Sequence, residues 1–144
     1  MTHSDAGRYA AKHGNGTLDQ GIAAAVRAKL TAGELACASA ERIASELGVA
    51  MAEVGRTADL LEIRIGRCQL GLFGYDAPGG RTVQPATAVD EGLEAAIRAG
   101  LADGRLPCAT AWKIAADRKL ARMDVCSACE KLKIKVKPCQ LGAF

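Results

Sequence analysis

The sequence predicts a mostly α-helical fold with short β-hairpins, an α+β protein built as two tandem domains. Three observations lead there. Leu18 to Phe73 aligns with Val89 to Phe144 without a gap at a constant offset of 71 residues, with roughly two in five positions identical. That period exceeds the repeat length of ordinary solenoids, so each copy is read as a small domain. The chain has 49% hydrophobic residues but only five aromatics, so its cores must come from Ala, Leu, Ile and Val, which favour close helix packing. Finally, Ile22, Val26 and Leu30, like Leu93, Ile97 and Leu101, recur at helical spacing.

A unit this small buries only about 60% of its extended surface. The two copies are therefore expected to pack together or to dimerise. No apolar run approaches the roughly 20 residues that span a bilayer, and residues 1–16 lack the apolar stretch of a signal peptide. The expected location is the cytoplasm, without membrane association.

Taken in order, residues 1–16 carry Gly7, Gly14 and Gly16 without sustained period and read as a flexible tail. Repeat one is assigned to residues 17–73. Thr17 and Gln20 begin its first helix as a capping box, and Gly33 stops it, as Gly104 does in repeat two. A short extended piece follows, Glu34 to Cys37 or Arg105 to Cys108. Ser39 and Thr110 are candidate caps for the second helix. That helix carries Ile43, Ala44 and Leu47, turns at Gly48, and gives way to a third from about Ala50 to Leu61 with Val54, Ala58 and Leu61 inward. Residues 74–88, with Pro78, Gly79, Gly80 and Pro85, read as a linker, and repeat two occupies 89–144.

The spacing of Ala44, Gly48 and Val54 resembles a helix-turn-helix. Ile63 to Leu70 around Gly66 and Arg67 is similar to the hairpin wing of a winged helix, with the piece around Leu35 as its third strand. In repeat two, Arg118 and Lys119 replace Leu47 and Gly48, so that turn departs from the pattern. The Cys-Gln-Leu-Gly ending of both copies resembles small bacterial proteins grouped with molybdate-responsive winged-helix regulators. The resemblance implies two tandem winged-helix-like domains and a partner in double-stranded DNA.

Charge is uneven. Residues 18–73 hold six basic and seven acidic side chains, residues 89–144 ten and seven. Lys131, Lys133, Lys135 and Lys137 alternate with Leu132, Ile134 and Val136, so in a strand the four ammonium groups share one face, a comb suited to phosphates. The same pattern equally suits a solvated edge guarded against sheet pairing. With Arg56, Arg64, Arg67 and Arg122 these lysines form the expected nucleic-acid-binding set.

The six cysteines form a second constellation. Cys37 and Cys68 are 31 residues apart, as are Cys108 and Cys139, while Cys126 and Cys129 share a helix face. Four thiols in repeat two, Cys108, Cys126, Cys129 and Cys139, match the ligand number of a structural zinc or an iron-sulfur cluster. Redox pairing and plain packing as small hydrophobes are the other readings. Both histidines, His3 and His13, lie in the tail, and neither a nucleophile-base pair nor a phosphate-cradling loop is present, so no enzyme is expected. The leading reading is a DNA-binding transcriptional regulator responsive to redox state or metal. The alternatives are a metal or iron-sulfur accessory protein and a protein-interaction module.

Overall fold

A computed structural model of the chain describes residues 9–13 and 17–144. Its described residues are mostly helical, with six α-helices and one small two-stranded sheet. In repeat one these are α1 (Gln20–Ala28), β1 (Leu35–Ala36), α2 (Cys37–Leu47), α3 (Met51–Leu60) and β2 (Ile65–Gly66). In repeat two they are α4 (Glu91–Ala99), α5 (Cys108–Arg118) and α6 (Arg122–Leu132). None of these helices is long and apolar enough to cross a membrane.

Each repeat uses the same local chemistry. Asp19 caps α1 by accepting from the Ile22 N–H, and Asp90 caps α4 by accepting from the Leu93 N–H. The caps are thus these aspartates, not Thr17. Gly33 and Gly104, at φ 79 and 77, sit in the tight turns after the helices, where Thr31 pairs with Glu34 and Ala102 with Arg105. The second helices begin two residues before Ser39 and Thr110, at Cys37 and Cys108. Gly48 ends α2 in the left-handed region as expected, and Lys119 ends α5 in the same conformation. The turn therefore survives in repeat two, at a cost of about 1 kcal/mol for a residue with a Cβ.

Among the described residues the expected wing hairpins do not form. Ile65–Gly66 instead pairs in parallel with Leu35–Ala36, and Val136 pairs in parallel with Leu106. Parallel pairing follows because a helix pair, rather than a tight turn, lies between the partners.

The chain divides into two compact units whose boundaries differ from the repeats. Unit 1 takes the described residues up to Cys68 together with Gln140–Phe144, and unit 2 is Gln69–Cys139. The last five residues of each repeat thus belong to the unit built on the other. We call these segments straps. In unit 1 the core is Ile22, Val26, Leu35, Ile43, Val54 and Ile65, all nearly inaccessible. In unit 2 it centres on Ile97, Leu106, Ala111 and Val125.

Two stretches read as irregular are ordered. Within the expected tail, Tyr9–His13 forms a 3-10 helix packed against α3. Within the expected linker, Thr82 and Val83 donate to the Gly71 carbonyl, Ala86 donates to the Ser127 carbonyl, and Val83 is buried. The rest of the expected tail lies outside the described residues.

Candidate functional site

Several outward side chains of α3 and α6, the third helices of the two repeats, are engaged within their own units. On α3, Arg56 donates to the Thr17 carbonyl at 3.0 Å. The buried Asp59 carboxylate meets His13 Nε2 at 2.7 Å. Glu62, just beyond α3, accepts from the N–H groups of Tyr9 and Ala10. The C-terminal strap closes the same helix. A Cβ at Gly55 would lie 2.0 Å from the Leu141 carbonyl oxygen, so only glycine admits that approach.

On α6, the Arg122 guanidinium stacks 3.6 Å from the Trp112 ring centroid and donates to Gln69 Oε1 at 2.8 Å. Glu130 is ion-paired with Arg81. Trp112 thus packs against α6 of its own unit. Arg56 and Arg122, the two expected contacts from the third helices, are both occupied within their units.

The basic comb holds a different place from the one expected. It is not one strand. Lys131 lies in the last turn of α6, Lys133 caps it with φ 60, and Lys135 and Lys137 flank Val136 at the parallel bridge. All four remain exposed. Leu106 donates to the Lys135 carbonyl and accepts from the Lys137 N–H, both at 2.9 Å. With Leu106 buried opposite Val136, that register places Arg105 beside Lys135 on the outer face.

Repeat one has Glu34, Arg64 and Gly66 at the positions of Arg105, Lys135 and Lys137. There Glu34 and Arg64 are 4.0 Å apart, an opposite-charge pair. Arg67 is exposed on the adjoining left-handed turn. The bridge of unit 2 replaces that pair with cations alone, and no ion pair among the described residues joins Arg105, Lys131, Lys133, Lys135 or Lys137 to a carboxylate. Sequence reasoning missed Arg105, although the repeat alignment sets it against Glu34.

The cysteines divide into two kinds. Cys126 and Cys129 stand where α3 has Gly55 and Ala58, and they are 0% and 1% exposed. Burial, aided by the charge of Glu130, pushes the Cys129 thiol up to about 11, which disfavours a thiolate ligand. Cys37 and Cys108 open α2 and α5, and Cys68 and Cys139 immediately precede the straps. Cys108 donates its N–H to the Pro138 carbonyl at 3.1 Å, which brings it opposite Cys139. All six are thiols, and all but Cys139 are buried. Among the described residues no three His, Cys, Asp or Glu side chains gather as metal ligands, so the expected zinc or iron-sulfur set of Cys108, Cys126, Cys129 and Cys139 is not assembled. Its physical obstacle is that the α6 pair points into a helix core while the other pair belongs to the parallel bridge.

No protein-family model matches the sequence, and no characterised protein or solved structure is detectably similar to it.

Proposed function

We propose that the protein binds the phosphate backbone of double-stranded DNA through an exposed ridge of unit 2, formed by Arg105, Lys131, Lys133, Lys135 and Lys137. On this reading the duplicated helix-turn-helix pairs are a scaffold, and the protein is a non-catalytic cytoplasmic regulator that grips DNA without reading bases from α3 or α6.

One observation carries the reading. At five equivalent positions, repeat one has Glu34, Leu60, Glu62, Arg64 and Gly66, a net charge of −1, whereas repeat two has five cations. The complete repeats differ by only four charges, so the ridge exceeds the whole imbalance and the remainder of repeat two is the more acidic. The helix macrodipole explains Lys131 and Lys133 at the α6 C-terminus. It does not explain Arg105, Lys135 and Lys137, where like charges face across a bridge and repel. A polyanion relieves that repulsion.

The test is fluorescence anisotropy on a short labelled duplex across a salt series, comparing the parent with Arg105→Gln/Lys135→Gln/Lys137→Gln. Removing three phosphate contacts should weaken binding and flatten the slope of log K against log salt by about 2.7, at about 0.9 per contact. An unchanged affinity and slope would remove the ridge from any DNA interface.

A further inference from the structure

The proposed DNA contact makes no use of the four cysteines shared by the repeats. In the parallel bridge of unit 2, Leu106 donates to Lys135 and has Val136 as its partner, one residue further on. The bond from Cys108 to Pro138 repeats that relation and makes Cys139 the partner of Cys108. The offset grows from 30 residues to 31 because one residue is interposed. It is Pro138 here and Arg67, with φ 47, in unit 1. In unit 1 the ladder from Leu35–Ile65 to Ala36–Gly66 leads to Cys37 and Cys68 with the same extra residue.

Adjacent ladder partners lie about 4.8 Å apart. Bridged cysteines need Cα atoms about 4.4–6.8 Å apart, a range that includes the spacing of ladder partners. Each second cysteine is also the last residue before the chain passes to the other unit. Cys126 and Cys129, by contrast, replace Gly55 and Ala58 and serve packing.

We propose that Cys37 with Cys68, and Cys108 with Cys139, are two redox-active dithiols, each closing to a disulfide that fixes the root of a strap. The oxidant is a small-molecule disulfide such as oxidised glutathione. A protein thiolate attacks one sulfur of the reagent, forming a mixed disulfide and releasing one glutathione thiolate. The second protein thiolate then attacks the cysteine sulfur, forming the protein S–S bond and releasing the second glutathione. Two protein thiols are oxidised and one reagent disulfide is reduced. Cys139 is partly exposed whereas Cys37 and Cys68 are 7% and 5% exposed, so the pair in unit 2 reacts first.

The test treats the reduced full-length chain with oxidised glutathione and maps its disulfides by peptide mass spectrometry. Two intramolecular bonds are expected, Cys108–Cys139 before Cys37–Cys68, with Cys126 and Cys129 still thiols. Cys108→Ser should leave Cys139 trapped as a glutathione adduct. A persistent adduct on Cys139 in the parent, a bond involving Cys126 or Cys129, or no oxidation would overturn the pairing. Amide exchange at Gln140–Phe144 reads the lock separately and should slow at least about threefold on oxidation. Equal rates in both states would overturn it even where the bonds form.

Discussion

Gly55 gives the sharpest test of the exchanged strap. In Gly55→Ala the new methyl carbon would stand 2.0 Å from the Leu141 oxygen, 2.7 Å from its carbonyl carbon and 2.9 Å from its Cα. All three are backbone atoms, so no side chain can swing aside, and the strap must lift. Leu141 and Ala143 are 2% and 3% exposed. Returning Leu141 to water costs about 2–3 kcal/mol, with a smaller loss for Ala143. The replacement itself favours the α3 helix by about 1 kcal/mol. The net loss is about 2 kcal/mol, or roughly 5–10 °C in Tm for a chain of this size.

Urea denaturation with thermal melting measures the loss, and carboxypeptidase digestion reports whether the C-terminus has lifted. A second chain lacking Gln140–Phe144 reverses the sign. With the strap gone, Gly55→Ala should stabilise by about 1 kcal/mol, because only helix propensity remains. A full-length Gly55→Ala protein as stable as its parent, with its C-terminus still protected, would refute the close approach on which the strap assignment stands.

Two further outcomes follow from unit 2. Arg122→Ala removes the stack on Trp112 and the bond to Gln69, costing about 1–2 kcal/mol and shifting the tryptophan emission, and Arg122→Lys should not restore it because an ammonium cannot stack or fork. An unchanged spectrum would show that the stack does not persist in solution. The Cys129 thiol, raised from 9.0 to about 11, keeps its proton in the fold while the unfolded chain begins to lose it. Its contribution is therefore complete below pH 9 and lost as pH rises towards 11. Cys129→Ala, which restores the residue found at Ala58, should flatten this alkaline decline in urea midpoints. A decline of equal steepness in the variant would show that Cys129 does not cause it.

Much of the architecture was legible because it is local. The duplication, the helical spacing of Ile22 and Val26, and the left-handed turn at Gly48 each depend on a few neighbouring residues. The caps were misread, because Thr17 and Gln20 offered a competing box, although Asp19 and Asp90 are identical in the two copies. The wing misled because Ile63 to Leu70 has the alternation of a hairpin, while its actual partner, β1, is some 30 residues away. Nothing local distinguishes parallel from antiparallel pairing. The straps were invisible for the same reason. Gly55 reads as a helix weakness until Leu141 is placed against it.

The four ridge lysines, Cys139 and the strap occupy one continuous stretch, residues 131–144, and their partners Arg105 and Cys108 lie on the opposite side of the parallel bridge. The ridge cations Lys135 and Lys137 are held by two bonds to Leu106, only two residues before Cys108. A bond between Cys108 and Cys139 would thus close a short ring that includes both lysines' anchoring bonds. It would restrain the backbone beneath the ridge without touching an ammonium group. A bond between Cys37 and Cys68 would close the corresponding ring in repeat one, but there Glu34 answers Arg64 across the bridge. The two copies therefore share the frame and the thiols and differ in the charge the frame displays. That division fits a duplication in which one copy has an opposite-charge bridge and the other displays cations alone.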